Sequence, residues 1–404
     1  MIMKVLQINA VYGVGSTGVI VRDIHELCLE NGIESYVAYS TSNTSPESII
    51  NGYQIGNTLD KKLHALLCRI NGKQAYFSRG ATKKLINHIK EIKPDVVHLH
   101  NLHSNYVHLN MLLDFLAKED IATVITLHDC WFYTGGCFHY TSAGCDGWKK
   151  ECGNCPKKRK DTPAYLFDRS SSILADRKEY FGKIKNLTVV GVSEWITNEA
   201  KSTFLGKKEC VTIHNGIDTE FFKPTDSDLR MKLGIEGKFV VLGIANKWLL
   251  PTNADTLKIV TDGFDDETVM VMIGCSEKDR EKLPKNVIPL DFVRDRHLMR
   301  QIYSMADVFA NCTREESFSL VNVEAQACGT PTITYKNTGA QETVDGKSSF
   351  AIETANAGEL LLKIKDIKTK GKFSFADSCR ASVVERFRKE ENYLKYIELY
   401  KLLR

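Results

Sequence analysis

Short apolar runs rich in β-branched residues alternate along the chain with longer segments whose apolar residues recur at the spacing of a helix. This alternation is typical of βαβ units built on a parallel sheet. In the first half the pattern predicts strands at about 4–10, 34–40, 95–100, 121–129 and 187–193, and helices at about 17–31, 81–93 and 109–120. In the second half it predicts strands at about 238–245, 268–275, 286–293, 307–312 and 330–335, and helices at about 297–306, after residue 316 and from about 374 to the end.

Two successive series of this kind, joined near His214–Pro224, predict the α/β class. We expect two Rossmann-like domains with doubly wound parallel sheets that face each other across a cleft. The N-terminal domain is predicted at 1–208, with a cysteine-rich insertion at about 130–160, and the C-terminal domain at 209–385. A last helix over 386–404 is expected to pack back on the N-terminal domain.

The composition is that of an ordinary globular protein. The 404 residues are long for one core and sufficient for two domains, and 43% of them are apolar and 26% charged. A formal net charge of +4 is too small to indicate nucleic-acid binding. The N-terminus does not have the pattern of a signal peptide, and no stretch approaches the roughly 18 apolar residues of a membrane span. We therefore expect a cytoplasmic protein.

The segment EESFSLVNVEAQACGTP, residues 315–331, holds Glu316 and Glu324 where a predicted loop gives way to a helix. The loop follows a strand, and open α/β sheets bind ligands at the carboxyl ends of their strands. Ser317 or Ser319 can cap the helix, whose free first-turn amides bind anions. Since carboxylates bind adjacent hydroxyl groups, one acid suits a ribose and the other a second sugar, which describes a nucleotide sugar. Alternatively, both acids only stabilise the helix through its dipole, by roughly 0.3–1 kcal/mol each.

The same segment resembles the E-x7-E signature of retaining GT-B glycosyltransferases, specifically glycosyltransferase family 4, whose helix continues into a sequence similar to EAQACGTPTITY. Two further segments resemble that family, NTGAQETVDGKSSF after the helix and IHNGIDTEFFKP at the predicted domain join. The resemblance covers most of the chain. It implies a GT-B fold, with an N-terminal acceptor domain, a C-terminal donor domain and retaining transfer of a sugar from a nucleotide diphosphate donor.

The resemblance also implies roles for single residues. Glu324 would bind the donor ribose, and Glu316 would contact the donor sugar near the reacting centre. The phosphates or the sugar would meet the backbone of Ser317, Phe318, Ser319 and Leu320.

The N-terminal loop YGVGSTG, residues 12–18, follows the first strand and opens a helix, so its glycines can approach a phosphate closely. It does not match the G-x-G-x-x-G fingerprint, and a glycine-rich turn alone is weak evidence. Opposite the E-x7-E helix, it is expected to bind the diphosphate. The candidate residues are Gly15, Ser16, Thr17 and Gly18.

Four histidines lie within or just after two predicted strands. His128 corresponds to the family histidine that faces the donor sugar, although a lone histidine at a strand end often has only a structural contact. His98 and His100 alternate along their strand, a spacing that also occurs in metal sites, and we expect them to be structural. His103, in the following loop, is a candidate for contact with the acceptor.

One departure from the family concerns its cations. Retaining members usually carry an arginine and a lysine in a GR…KG pattern, which neutralises the departing diphosphate. This sequence reads GIANKWLLPTNADTLK, with no cation at Pro251–Asn253. Lys247 can reach the phosphates from a shifted loop, a cation such as Arg294 or Arg296 can enter from elsewhere, or the protein binds its donor poorly and is a weak or inactive relative. We favour Lys247.

Five of the twelve cysteines lie within the predicted insertion. A reducing compartment disfavours disulfides, and four thiolates that end in a Cys-x2-Cys pair can hold a tetrahedral structural zinc. Free buried thiols and disulfides are the alternatives. The predicted zinc ligands are Cys137, Cys145, Cys152 and Cys155. A subset of family 4 enzymes that build bacterial surface polysaccharides resembles this chain in the insertion.

The basic run KKRKD, residues 157–161, follows the insertion. It is either a solvated run of charges or part of a surface for the anionic inner face of a membrane, where a lipid-linked acceptor would lie. The second interpretation uses the nearby aromatic residues Trp131, Phe132, Tyr133 and Trp148.

These features, together with what the resemblance to family 4 implies, predict a glycosyltransferase of capsule, O-antigen or exopolysaccharide biosynthesis that needs no catalytic metal or other cofactor. We expect it in the cytoplasm or peripherally on the inner face of the membrane. Two alternatives stay open, namely a nucleotide-sugar epimerase on the same scaffold and a non-catalytic sugar-nucleotide-binding relative, which the missing cation pair favours.

Overall fold

The computed structural model of the chain describes residues 2–161 and 164–404 and contains two parallel β-sheets, each in its own unit. The first unit extends to Asn215 and also includes Glu390–Arg404, and the second unit is Gly216–Lys389. The predicted α/β class with two Rossmann-like parallel sheets is confirmed.

The first unit is built on a seven-stranded sheet. Its strands are β1 (Lys4–Tyr12), β2 (Glu34–Ser42), β3 (Gly52–Gln54), β4 (Val96–Leu99), β5 (Ala122–Leu127), β6 (Leu187–Gly191) and β7 (Glu209–Thr212). Its helices are α1 (Gly15–Glu30), α2 (Thr58–Asn71), α3 (Arg79–Ile92), α4 (Leu109–Lys118), α5 (Gly147–Lys150), α6 (Ser170–Lys183), α7 (Glu194–Lys201) and the last helix of the chain, α16 (Lys389–Leu403). The strand order is β3-β2-β1-β4-β5-β6-β7, and neighbouring strands are parallel.

The second unit is built on a six-stranded sheet. Its strands are β8 (Phe239–Ile244), β9 (Thr268–Ile273), β10 (Val287–Leu290), β11 (Val308–Asn311), β12 (Thr332–Tyr335) and β13 (Phe350–Ile352). Its helices are α8 (Leu229–Lys232), α9 (Ala245–Trp248), α10 (Ala254–Asp262), α11 (Glu277–Arg280), α12 (Arg296–Met305), α13 (Leu320–Ala327), α14 (Ala357–Lys370) and α15 (Phe373–Phe387). The strand order is β10-β9-β8-β11-β12-β13, again with parallel neighbours.

Central strands are buried along their whole length, which explains their continuous apolar runs. Every residue of β4, β5 and β11 is buried, as expected when helices cover both faces of a parallel sheet. In the second unit, the indole of Trp248 is fully buried and its Nε1 donates to the Ala310 carbonyl oxygen at 2.8 Å. The buried core therefore extends to the carboxyl ends of β8 and β11, where the predicted site loops begin.

The unit boundaries differ from the predicted domain boundaries by a few residues. The first unit continues past residue 208 because β7 pairs with β6, with Thr188 opposite Glu209. The chain returns to the first unit at Glu390, and Ile217 binds the segment just before that point within the second unit. The Ile217 N–H donates to the Phe387 carbonyl oxygen at 2.8 Å, and the Lys389 N–H donates to the Ile217 carbonyl oxygen at 3.0 Å.

Helix α16 is attached to the first unit by two tyrosines. The Tyr400 hydroxyl lies 2.6 Å from His98 Nδ1, and the Tyr396 hydroxyl lies 3.2 Å from Thr126 Oγ1. Both tyrosines are buried, so the helix contributes to the core beside β4 and β5.

Several elements have no counterpart in the sequence prediction, including α2, α6 and α14. Strands β3 and β13 have only three residues each, which is too short to show a period. Helix α2 comes soon after the short strand β3. Because that strand is not recognisable in the sequence, α2 does not stand out in the predicted alternation of strands and helices. Within the described ranges, none of the helices is both long and apolar enough to cross a membrane.

Candidate active site

The loop between β11 and α13 carries the first predicted glutamate. It is held by the segment after β12, because Asn337 Nδ2 donates to the Arg314 carbonyl oxygen at 2.8 Å and the Glu316 N–H donates to Thr338 Oγ1 at 3.2 Å. Thr313 Oγ1 donates to the Glu315 carbonyl oxygen at 3.3 Å. The loop is therefore a defined structure at the carboxyl edge of the sheet, as predicted from the sequence.

The two carboxylate oxygens of Glu316 have different surroundings. Its Oε1 lies 3.7 Å from Lys247 Nζ, and both side chains are about one quarter exposed. Its Oε2 is buried, and so is the hydroxyl of Ser317. Neither has a hydrogen-bond partner among the residues that the structure describes. Since buried polar atoms are almost always paired, these two oxygens indicate a ligand that supplies the missing donors.

Helix α13 begins after Ser319, but the predicted serine cap is wrong. Ser319 occupies the N-cap position and makes no side-chain cap bond to the helix. Its hydroxyl instead accepts from Asn311 Nδ2 at 3.0 Å, and the same amide group donates to Asn322 Oδ1 at 2.7 Å. The first-turn amides of α13 therefore stay free of a side-chain cap from Ser319, which suits an anion. Phe318 is buried, and its ring packs edge-on against Phe387.

Glu324 is the fifth residue of α13, one turn into the helix. The Tyr303 hydroxyl donates to its Oε2 at 3.0 Å. Burial raises the pKa of Glu324 to about 7, although the Tyr303 hydrogen bond and the charge of Arg296 act in the opposite direction. Both Glu324 and Glu316 contribute to raising the pKa of Tyr303 after burial, so the two predicted glutamates lie near the same phenol.

A cation that the sequence analysis did not single out lies at the position of the missing pair. Arg314 Nε donates to Asn253 Oδ1 at 2.9 Å, and Arg314 Nη2 donates to the Thr252 carbonyl oxygen at 2.5 Å. Asn253 Nδ2 in turn donates to the Lys247 carbonyl oxygen at 2.8 Å. The loop at Pro251–Asn253, which has no cation of its own, therefore has Lys247 on one side and Arg314 on the other. The position of Arg314, two residues before Glu316, was the signal in the sequence.

The other two candidate cations lie elsewhere in the unit. The charge of Arg296 acts to lower the pKa of Glu324, and its guanidinium is 4.6 Å from the ring centre of Phe221. Arg294 lines an apolar cavity of about 290 Å³ together with Leu298.

In the first unit, the glycine-rich loop ends β1 and begins α1 at Gly15. Gly13 and Gly15 have φ angles of +67° and +63°, which glycine adopts without strain. A Cβ on Gly18 would lie 3.1 Å from Val11 Cγ2. Gly15, Ser16, Thr17 and Gly18 thus form the first turn of α1, where backbone N–H groups are available to an anion.

His128 follows β5 and belongs to a hydrogen-bonded chain. Its Nε2 lies 3.0 Å from His100 Nδ1, and His100 Nε2 lies 3.1 Å from Gln7 Oε1. Burial lowers the pKa of His128 to about 4 and that of His100 well below 6.5, so both rings are neutral at pH 7. Gln7 Nε2 donates to the Val21 carbonyl oxygen at 3.3 Å, so its Oε1 accepts from His100. His100 Nδ1 then accepts from His128, whose own Nδ1 remains an acceptor.

His98 and His103 have partners of their own. His98 Nε2 lies 2.7 Å from Thr126 Oγ1, and its Nδ1 contacts α16. His103 Nε2 lies 3.2 Å from Asp129 Oδ2. Burial alone would raise the pKa of Asp129, but the hydrogen bonds from His103 and the Trp131 N–H lower it below its usual value. Asp129 is thus an ionised partner beside His128.

Comparison with known proteins decides the family. The sequence model of Glycosyltransferase Family 4 matches residues 17–221, about half of the chain, and that of Glycosyl transferases group 1 matches residues 248–369. The chain belongs to glycosyltransferase family 4. It is an enzyme of the EC 2.4 class, and the predicted glycosyltransferase activity is confirmed.

Several similar proteins align with most or all of the length of this family 4 glycosyltransferase. A protein of Escherichia coli strain K12, provisionally named colanic acid biosynthesis glycosyl transferase WcaC, is 25% identical over 354 residues, which cover 84% of this chain and 85% of WcaC. Sucrose-phosphate synthase from Thermosynechococcus elongatus has a TM-score of 0.69 at 16% identity. Anabaena Alr3699/HepE, solved in complex with UDP-glucose, has a TM-score of 0.66 at 18% identity. Each alignment with these two structures covers 99% of both chains, and they confirm the GT-B fold.

Arg177 of α6 binds the start of the cysteine-rich insertion of this glycosyltransferase. Arg177 is buried, donates through Nη1 to the carbonyl oxygens of Trp131 and Thr134, and lies 3.9 Å from the ring centre of Trp131. The four aromatic residues on which the membrane interpretation of the basic run depended are buried, so they are not available to lipids. They are Trp131, Phe132, Tyr133 and Trp148.

The predicted zinc ligands are half-buried, free thiols. Burial raises the pKa of Cys137 to about 12 and that of Cys152 to about 11. The neighbouring thiol of Cys155 raises both pKa values further, by a smaller amount. Among residues 2–161 and 164–404, no group of three or more His, Cys, Asp or Glu side chains has an arrangement that would hold a metal ion. Zinc at Cys137, Cys145, Cys152 and Cys155 therefore stays a prediction.

Proposed function

We propose that this enzyme transfers a sugar from a nucleoside diphosphate sugar to a glycan acceptor, with retention at the anomeric carbon. The observation that carries the proposal is the pair of buried oxygens on Glu316 and Ser317 at the carboxyl edge of the second sheet, which have no hydrogen-bond partner within the described part of the chain. They lie next to Lys247 and to the first turn of α13, which together suit a sugar attached to a diphosphate. The likeness to Alr3699/HepE, which was solved with UDP-glucose, supports the same class of donor.

In this proposal the chain's task is to stabilise a departing diphosphate and a positively charged, oxocarbenium-like sugar. Lys247, Arg314 and the first-turn amides of α13 offset the charge of the diphosphate, because fixed donors aimed at developing charge lower the barrier. Glu324 binds the ribose, and Glu316 binds the transferred sugar. The amides of Gly15–Gly18 add a second contact to the phosphates.

We assign His128 to the hydroxyl groups of the transferred sugar. Its neutral ring presents Nδ1 as an acceptor because Gln7 fixes the tautomers along the chain. No nucleophile is assigned. We propose that the leaving phosphate helps to deprotonate the acceptor hydroxyl and that no catalytic metal takes part, which a turnover assay with a chelator tests.

For the acceptor we propose a lipid-linked glycan of capsule, O-antigen or exopolysaccharide biosynthesis. The similarity to WcaC, named for colanic acid biosynthesis, supports a polysaccharide. His103 is proposed to contact this acceptor. A lipid-linked substrate would require the cytoplasmic enzyme to work at the inner face of the membrane.

The decisive experiment is a thermal-shift screen of nucleoside diphosphate sugars, since a ligand that binds the folded state raises the melting temperature according to its concentration relative to Kd. The best donor is then incubated with glycan acceptors, and the anomeric configuration of the product is read by NMR. Failure of every donor to shift the melting temperature, or an inverted product, would refute the proposal. Conversion of the donor without an acceptor would reveal an epimerase instead.

Structural zinc is tested separately, by metal analysis of the purified protein and titration of its thiols. About one zinc per chain with four protected thiols would support the four predicted cysteine ligands. Metal-free protein with all thiols titratable would exclude them.

A further inference from the structure

Helix α2 directs its apolar stripe to solvent. Leu59, Leu63, Leu66 and Ile70 follow one another at spacings of four, three and four residues, which places them on one face of the helix. Their exposure ranges from 47% to 74%. A surface helix of a globular protein normally packs such a stripe against the core.

The orientation of α2 is fixed by its other face and by both ends. His64 and Cys68 are buried, and His64 Nδ1 lies 2.7 Å from Ser78 Oγ. A capping box of Asn57 and Asp60 holds the N-terminus, and the left-handed Gly72 ends the helix. Turning the stripe inward would break these contacts, so the outward stripe is a property of the fold.

The segment Tyr165–Phe167 extends the same surface. The Tyr165 N–H donates to the Arg69 carbonyl oxygen at 3.1 Å, which joins this segment to the C-terminal end of α2. The side chains of the segment are between 49% and 64% exposed. We call the combined surface the outer apolar face, which consists of Leu59, Leu63, Leu66, Ile70, Tyr165, Leu166 and Phe167.

Basic side chains border the outer apolar face. Lys62 and Arg69 are exposed on α2, and the guanidinium of Arg169 lies 5.0 Å from the ring centre of Phe167. Arg159 and Lys160, from the basic run after the insertion, are also exposed.

The neighbouring acids are engaged within the unit itself. Asp60 belongs to the capping box of α2, and Asp168 accepts from the Cys155 N–H at 2.7 Å and from the Ser170 hydroxyl at 2.6 Å. The two segments around the outer apolar face are also net positive in sequence, since 58–71 holds three Lys or Arg to one acid and 157–169 holds five to two.

We propose that the outer apolar face docks on the surface of an anionic lipid bilayer. Its aliphatic and aromatic side chains would enter the interface between head groups and acyl chains, while the bordering cations contact lipid phosphates. A second copy of this chain fits less well, since a two-fold contact would bring the same positive border against itself. The proposal is independent of the nature of the sugar donor.

The test is co-sedimentation of the full chain with vesicles of phosphatidylcholine alone or with added phosphatidylglycerol. We expect binding to the anionic vesicles and much weaker binding to the neutral ones. The double substitution Leu63→Gln/Leu66→Gln should lower the partition coefficient by at least about tenfold. Lys62→Glu/Arg69→Glu should lower it by at least about 25-fold, because each of the two basic residues lost near an anionic surface contributes about fivefold.

Leu362→Gln is the matched control, since this leucine is 69% exposed on α14 of the second unit. It should bind vesicles as the unchanged protein does, and all variants should keep their melting temperature because the substituted side chains are exposed. Equal partitioning of the unchanged protein and Leu63→Gln/Leu66→Gln would overturn the proposal. So would a dimer in vesicle-free solution that the leucine substitutions convert to a monomer, as measured by sedimentation velocity.

Discussion

Glu324 is the group through which pH is expected to control donor binding. Burial raises its pKa to about 7 in the unliganded enzyme, and Tyr303 donates a hydrogen bond to it. An ionised carboxylate accepts from both hydroxyl groups of a ribose, whereas the protonated acid has lost one acceptor position. With a pKa near 7, the ionised fraction falls from about 0.9 at pH 8 to about 0.1 at pH 6, so the apparent Kd should rise about tenfold.

The measurement is titration calorimetry with a nucleoside diphosphate sugar across this range. The sugar ester is used because a terminal phosphate monoester itself titrates near pH 6, at about the same position as the effect sought. Tyr303→Phe removes a hydrogen bond that lowers the pKa of Glu324, so the midpoint should move to higher pH. Glu316→Gln should retain the pH dependence.

The same shift predicts an effect on stability with a defined sign. A carboxyl group whose pKa is raised from 4.5 to about 7 holds a proton in the folded state that the unfolded chain has released. The free energy of unfolding therefore falls as the pH rises from 4.5 towards 7. Glu324→Gln should remove this loss and stabilise the unliganded protein at pH 8 by up to about 3 kcal/mol. The reasoning would be refuted if Glu324→Gln bound donor with the original pH profile. It would also be refuted if this variant were less stable than the unchanged protein at pH 8.

Three further predictions concern the cations, the histidine chain and the core. Lys247→Met and Arg314→Met should each lower kcat, on the order of 10²-fold, with a smaller change in nucleotide affinity. Unchanged kcat in either variant would remove that residue from the proposal. Gln7→Met should release the tautomer of His128, visible as altered ring nitrogen shifts in NMR, and lower kcat without weakening nucleotide binding; unaltered shifts would contradict the assigned chain. Trp248→Ala should lower the free energy of unfolding in urea by about 3–5 kcal/mol, and a loss below 1 kcal/mol would show that the site repacks.

The two sheets and the site loop were predictable because their signals are local. Buried parallel strands are continuously apolar, and the loop that holds Glu316 lies between such a strand and a helix. Contacts between distant segments were not predictable in the same way. Arg314 and Asn253 are 61 positions apart, and Gln7 and His100 are 93 positions apart. The outward stripe of α2 illustrates a different obstacle, since apolar periodicity predicts a face but does not tell whether the core or the solvent meets it.

The strand order gives a physical interpretation of the departure from the family's cation pattern. Strands β8 and β11 are parallel neighbours, so the loops after them leave the same edge of the sheet side by side. Lys247 lies after β8 and Arg314 after β11, and Asn253 binds both, through the carbonyl oxygen of one and the guanidinium of the other. Electrostatic stabilisation depends on where a charge lies and not on which strand supplies it. Two adjacent loops can therefore share a task that the family usually gives to one, which favours an active transferase over an inactive relative.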